Sequence, residues 1–282
     1  MGERKINSDI KKPTELVKQK PKRLFTFGCS FTDYVWLTWP EIVAYDLNIP
    51  LYNFGVSGAG NQFIFNMLIQ AINRYNINES DLIIICWTNV CREDRRLAGG
   101  WLTPGNLFTA DTTYDAAYLK KWATYPEGYA VRDFAMFDAS RRILKNINCQ
   151  FSMLSMISLT HYNQWTDDSI NLEKLDLLYR LVLDQINPSF YEVLWESSHQ
   201  IKKDKDHKKI GPDFIDGHPS PAEHLDYLIK TFTGHPFNKE TINQVNLIED
   251  EWISLLKNTK NSKDLDKIKF SKLVDYVQVD YI

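Results

Sequence analysis

Residues Asp81 to Trp87 read DLIIICW. Six apolar residues follow one acid with no polar alternation, the pattern of a strand covered on both faces, as inner strands of a parallel sheet are. Working outward, Arg23–Ser30 (RLFTFGCS) is a second apolar run that stops at Gly28, a buried strand ending in a tight turn. Between the two, Thr38–Asn48 reads as a helix with Thr38 as cap and Pro40 in its first turn. Leu51–Gly55 reads as a strand, and Gln62–Arg74 as a helix with Phe63, Met67, Leu68 and Ile72 on one stripe. Downstream, a helix over Asp133–Asn146 precedes a strand over Gln150–Ile157. Strand and helix alternating at this spacing predict right-handed crossovers and an α/β fold: a three-layer α/β/α sandwich around a mainly parallel sheet.

The remaining segments are read around that frame. Residues 1–22 form a polar leader with a short helix around Pro13–Lys20, and 23–235 form the α/β domain. Within it, 92–129 is rich in Gly, Thr, Tyr and Trp and weakly periodic, the character of a lid or binding wall. Asn171–Asn187 reads as a helix and the charge run 199–209 as a solvated loop. Residues 236–282 form a C-terminal helical extension, with a helix over Thr241–Lys257 and a late strand over Leu273–Ile282.

Four short segments carry chemistry. Ser30 follows the first strand at a glycine turn, in the crevice where open α/β sheets bind ligands; a turn-capping serine is its ordinary reading. Asn53–Asn61 is a glycine-rich turn after the second strand, able to aim backbone N–H groups at a ligand. Asn89 ends the third strand, where its amide can serve an oxyanion or cap the next turn. Asp216-Gly217-His218-Pro219 lies just before a helix whose start is marked by Ser220, Pro221 and Glu223, a capping box. A carboxylate beside an imidazole fixes its tautomer, as the general base for a serine requires. His224, in the second turn of that helix, reads as a packing or surface residue.

Taken in chain order over about residues 23–230, these segments resemble the four blocks of the SGNH (GDSL-like) hydrolase superfamily. Gly28-Cys29-Ser30-Phe31 is similar to its Gly-Asp-Ser-Leu block, Asn53–Gly58 to the second, Trp87-Thr88-Asn89 to the Gly-x-Asn-Asp block, and Asp216–Pro219 to the last. The resemblance implies Ser30 as nucleophile, His218 as base, Asp216 as its partner, and an oxyanion hole from Ser30, Gly58 and Asn89. It implies no cofactor and no metal. Departures mark a remote branch: Cys29 replaces the family's Asp, Trp87 its Gly and Val90 its second acid. Asp216 precedes His218 by two residues where three are usual, and Asp213 is a substitute partner.

Arg92, Trp87 and Asn61 are candidate substrate-binding residues; Arg92, Arg95 and Arg96 follow Asn89 closely and can turn a guanidinium into the site or, equally, lie as surface arginines on a lid. Trp101, Tyr114, Tyr118, Trp122, Tyr125 and Tyr129 offer flat faces for a sugar or, equally, packing for a lid. These features point to a serine esterase acting on a small-molecule or glycan ester, with a polysaccharide O-acyltransferase using the same triad as the alternative. A non-catalytic glycan-binding or virion-associated module is a further reading. A metal site from Asp216, His218 and His224 lacks an HxH or HExxH arrangement.

Bulk properties narrow the classes. A net charge of -3 and a pI near 6.1 supply no basic field for a nucleic acid. No run of about 18 apolar residues and no secretory h-region occurs, so no membrane partner is expected and a cytoplasmic location is, a phage source being compatible with both. The four cysteines form no CxxC pair and fit a reducing compartment.

Overall fold

The computed structural model describes residues 14–107, 114–122, 126–160, 181–195, 197–198, 217–257, 259, 262–277 and 279. Its order is β1 (Arg23–Gly28), α1 (Trp39–Leu47), β2 (Leu51–Gly55), α2 (Asn61–Tyr75), β3 (Asp81–Trp87), β4 (Arg95–Leu97), β5 (Gly100–Leu102), α3 (Ala116–Trp122), α4 (Pro126–Ile147), β6 (Gln150–Ser155), α5 (Phe190–Leu194), α6 (Pro221–Thr231) and α7 (Lys239–Leu256).

β1, β2, β3 and β6 form one parallel sheet in the order β2-β1-β3-β6. The chain first steps from β1 to β2, then reverses over β1 to β3 and on to β6. With right-handed crossovers, the reversal puts α1 on one face and α2 and α4 on the other. The helix contacts agree: α2 packs on α4, whereas α1 packs on α6 and α7, and α5 on α6. All of β3 is buried, as its unbroken apolar run predicts. The two directions of winding part between β1 and β3, so their C-terminal ends frame the crevice where such sheets bind ligands.

Local sequence explains the helix ends. Glu41 accepts from Thr38 N at 3.1 Å at the start of α1, and Asn48 ends it in the left-handed region with φ 50°. Ser220 and Glu223 form the expected reciprocal cap of α6, with Pro221 as its first residue. Asp46 of α1 anchors the start of α7, accepting from Asn238 N and Thr241 Oγ1, each at 2.8 Å.

Several expectations change. Residues 14–22 are not a loose leader and form no helix: Leu16 joins the main core, Lys22 N donates to Ser80 O and Gln150 Oε1 accepts from Lys18 N. α4 begins at Pro126, inside the predicted insertion, which also contains the β4–β5 hairpin and α3. Of the predicted C-terminal strand, the described residues contribute one parallel bridge, Leu51 to Tyr276, at the edge of β2; residues 278 and 280–282 lie outside the described residues. The predicted helix over 171–187 lies mostly, and the charge run 199–209 entirely, outside the described residues. No helix among the described residues is long and apolar enough to cross a membrane.

Candidate active site

β1 stops in a tight turn. Thr32 N and Asp33 N both donate to Cys29 O, at 2.8 and 3.2 Å. A Cβ at Gly28 would lie 2.0 Å from Thr32 Oγ1, so only glycine lets the chain fold back this closely. The turn presents Ser30 at the carboxyl end of the sheet. Asn53 stitches it to the neighbouring strand, accepting from Thr26 Oγ1 at 2.9 Å and donating to Thr32 O at 3.1 Å.

His218 arrives from the far end of the chain, on the loop that the Ser220 cap terminates. Its Nε2 lies 2.8 Å from Ser30 Oγ, across 188 residues of sequence. The ring is held from several sides. Tyr34 stacks on it with centroids 4.0 Å apart and planes 19° apart, Phe31 lies 5.3 Å away and Trp36 stands edge-on at 6.5 Å. Trp36 Nε1 also donates to Pro219 O at 2.9 Å, fixing the main chain beside the imidazole. Asp216 and Asp213 lie outside the described residues.

The two other predicted blocks flank Ser30 because β1 lies between β2 and β3. Gly58, after β2, has φ +75°, and a Cβ there would meet Thr103 O at 2.2 Å. The backbone N–H groups of Ser30 and Gly58 donate to nothing among the described residues. Asn89, after β3, is buried and its Oδ1 accepts from Cys91 N at 2.7 Å. The capping role therefore exists, and it sets the amide so that the NH2 end is its donor.

The candidate binding residues divide. Arg92 is buried beside the crevice: Nη1 donates to Ala59 O at 2.8 Å, and Nη2 meets Met156 Sδ at 3.8 Å. Trp87 and Asn61 do not face the crevice. Trp87 is fully buried and packs on Phe137 of α4 at 4.3 Å. Asn61 spends its amide on Thr88 O, Thr88 N and Asp133 Oδ2, joining α2, β3 and α4. Burial pushes the Asp133 carboxyl up to about 6 against the pull of Arg132 and Asn61. Trp87 belongs to the core because β3 is covered on each face, and Asn61 because its amide is spent on tying α2 to β3 and α4. His224 is buried edge-on to Phe190, and burial and the nearby His218 hold its pKa down to about 3, so it is a neutral packing residue.

The aromatic insertion is knitted to itself. Glu93 accepts from Tyr118 OH and Tyr129 OH, at 2.5 and 2.8 Å, and from Arg95 at 2.7 Å, while Tyr114 OH donates to Glu93 O. Arg95 lies over the Tyr114 and Tyr118 rings, and Trp101 packs edge-on to Phe63. These rings hold the insertion down, the packing role weighed against sugar stacking. Tyr125 and the Trp122 side chain lie outside the described residues.

Sequence reasoning missed Tyr34, Trp36, Met156 and Asp94. Met156 Sδ touches Cys29 Sγ at 3.7 Å, Thr88 Oγ1 at 3.8 Å and Arg92, linking three loops under the site. Asp94 accepts from Gly60 N and Phe63 N, each at 2.8 Å. The only local signal for the first pair is aromatic: Phe31, Tyr34 and Trp36 follow Ser30 within six residues.

The sequence matches no family model and no curated protein sequence. Solved structures similar to it include a member of the lipolytic protein G-D-S-L family from Veillonella parvula, at 14% identity over 75% of this chain and 98% of that one, with a TM-score of 0.38. A putative GDSL-like lipase from Parabacteroides merdae has 14% identity over 78% and 99%, with a TM-score of 0.39. The acetyl xylan esterase AlAXEase has 11% identity over 83% and 99%, with a TM-score of 0.32.

Proposed function

We propose that this chain is a serine esterase of SGNH type that removes a short acyl group, acetyl first among candidates, from a saccharide or another small ester. One observation carries the reading: the 2.8 Å contact between His218 Nε2 and Ser30 Oγ, made by the residues that the sequence blocks single out. A serine hydroxyl is a weak nucleophile until a base takes its proton, and this is hydrogen-bond reach for that transfer.

Ser30 Oγ attacks the acyl carbonyl as its proton passes to His218 Nε2. The carbonyl oxygen becomes an oxyanion, received by the N–H groups of Ser30 and Gly58 and the NH2 of Asn89. Unpartnered N–H groups on the two loops support that role, since donors already in place need no reorganisation as charge develops. His218 returns the proton to the leaving alcohol. Water, or a sugar hydroxyl in a transferase, then resolves the acyl-enzyme by the same steps in reverse. Asp216, or Asp213 in its place, steadies the imidazolium from Nδ1. Arg92 borders the acyl site and orients a polar group of the substrate.

The test is labelling by a fluorophosphonate probe together with release of acetate from p-nitrophenyl acetate and acetylated sugars. The native chain is labelled at Ser30 and turns over. Ser30→Ala loses the label and slows turnover by about 10³-fold or more while keeping its fold. A native chain that is neither labelled nor active would end the reading.

A further inference from the structure

The loop that holds His218 has its own packing partner. Trp36 is buried with Trp252, Leu256, Leu265 and Phe270, a cluster separate from the main core, with Tyr34 and Val35 against it. Trp252 meets Trp36 at 5.5 Å and Phe270 meets it at 5.8 Å, both edge-on. Everything in this cluster except the 34–36 loop comes from the last part of the chain, more than 200 residues later.

A polar contact closes the same junction. Lys272 Nζ donates to Tyr34 O at 3.3 Å and Trp36 O at 3.4 Å, bracketing the loop from one cation. It also lies 3.5 Å from Oε2 of the fully buried Glu41 carboxyl group and 3.3 Å from Tyr276 OH. Each contact is long and weak alone. Together they place one charge against two carbonyls and the Glu41 carboxyl group at the base of the loop, and charge-assisted bonds are the stronger kind.

We propose that Lys272 is a positioning residue for the base, the polar clasp by which the C-terminal segment holds Tyr34 and Trp36, and through them the His218 ring, over Ser30. The chain of contact is continuous: Lys272 on the Tyr34 and Trp36 carbonyls, Tyr34 stacked on the imidazole, and Trp36 Nε1 on Pro219 O. The geometry asks for this, because His218 lies on a loop bounded on its far side by the α6 cap and needs a wall on the other. An imidazole that swings from its wall loses the near-attack arrangement even with every reacting group present.

The proposal rests on His218 acting as general base, so its test uses two readouts. The first is steady-state hydrolysis of p-nitrophenyl acetate by native, Lys272→Met and Lys272→Arg chains. Lys272→Met should lower kcat by about 10- to 100-fold with KM nearly unchanged, and Lys272→Arg should recover most of the loss. The second is NMR of the His218 ring protons, which the face of Tyr34 shifts upfield in the native chain whether or not any ester is turned over. That upfield shift should shrink in Lys272→Met and return in Lys272→Arg. A Lys272→Met chain with kcat within about twofold of native and an unmoved His218 signal overturns the proposal. So does a lower melting temperature with both readouts unchanged, which makes Lys272 an ordinary structural contact. A native chain without hydrolysis defeats the esterase reading instead, and the ring-proton measurement still decides the clasp.

Discussion

At the scale of single residues, the proposed base role of His218 requires one tautomer. For Nε2 to accept from Ser30 Oγ it must be unprotonated, so the neutral ring carries its proton on Nδ1, the nitrogen a carboxylate would engage. Asn89 poses a sharper question, because one amide serves two ends. Its oxygen caps the turn at Cys91 N, and its NH2 is the proposed oxyanion donor. Asn89→Asp keeps the acceptor and removes the donor, so the turn survives while the oxyanion meets a carboxylate. We expect kcat to fall by about 10²–10³-fold with little change in KM or melting temperature. Asn89→Ala should match it in kcat and also lose stability, by about 1 kcal/mol, as the cap goes. Steady-state kinetics and thermal unfolding of the pair check this; an Asn89→Asp chain with native kcat leaves Asn89 a cap alone.

At the scale of elements, the loop carrying Gly58 is held from outside itself. α2 begins after Gly60, which has no side chain to cap the free N–H groups of its first turn. The cap comes instead from Asp94, which bonds Gly60 N and Phe63 N and places a carboxylate at the positive end of the helix dipole. A Cβ at Gly60 would fall 2.7 Å from Asp94 Oδ2, so the glycine is there for the approach of its own cap. Arg92 adds its bond to Ala59 O, and Gly105 N donates to Gly58 O, so the start of the insertion cradles residues 58–60. Asp94→Ala should cost about 2 kcal/mol of stability, the range for bonds to a buried charge, measured by urea unfolding. It should also lower kcat more than it raises KM, because the Gly58 N–H loses its support. Native stability in that variant would show that backbone bonds alone hold the helix start.

At the scale of the whole molecule, legibility followed locality. β3 and β2 were readable to their end residues because a doubly covered strand writes its burial into a continuous run of side chains. The α6 start was readable because a capping box spans four residues. Ser30, Gly58 and Asn89 were legible as residues on the loops that follow β1, β2 and β3, and His218 as a residue just before the capped α6. The β4–β5 hairpin was not, since its three-residue strands are too short and too exposed for alternation to show. Neither were Tyr34 and Lys272, whose partners lie 184 and 238 residues away and leave no period in the sequence. The same long-range junction gives the molecule a dependence on pH that can be signed. Burial pushes the Glu41 carboxyl from its ordinary 4.5 up to about 7, against the pull of Lys272 and the Thr38 N–H, with Asp33 adding to the rise. Asp33 feels the charge of the same Lys272 and Tyr276 OH accepts from it, so the junction holds two carboxyls, a phenol and one cation. Between pH 4.5 and about 7 the folded chain retains a proton at Glu41 that the unfolded chain has released, so the folded state binds more protons and stability falls as pH rises. The contribution is whole below pH 4.5 and gone above about 7, and by linkage it amounts to at most about 3 kcal/mol. Other carboxyls titrate over the same interval, so the informative quantity is a difference between two chains. Glu41→Gln keeps an acceptor for Thr38 N and carries no proton to lose. Urea unfolding at pH 5 and pH 8 should show the native chain losing stability relative to Glu41→Gln across that interval. Curves that stay parallel would mean that Lys272 holds Glu41 ionised throughout, and that the junction is an ion pair at every pH where the chain folds.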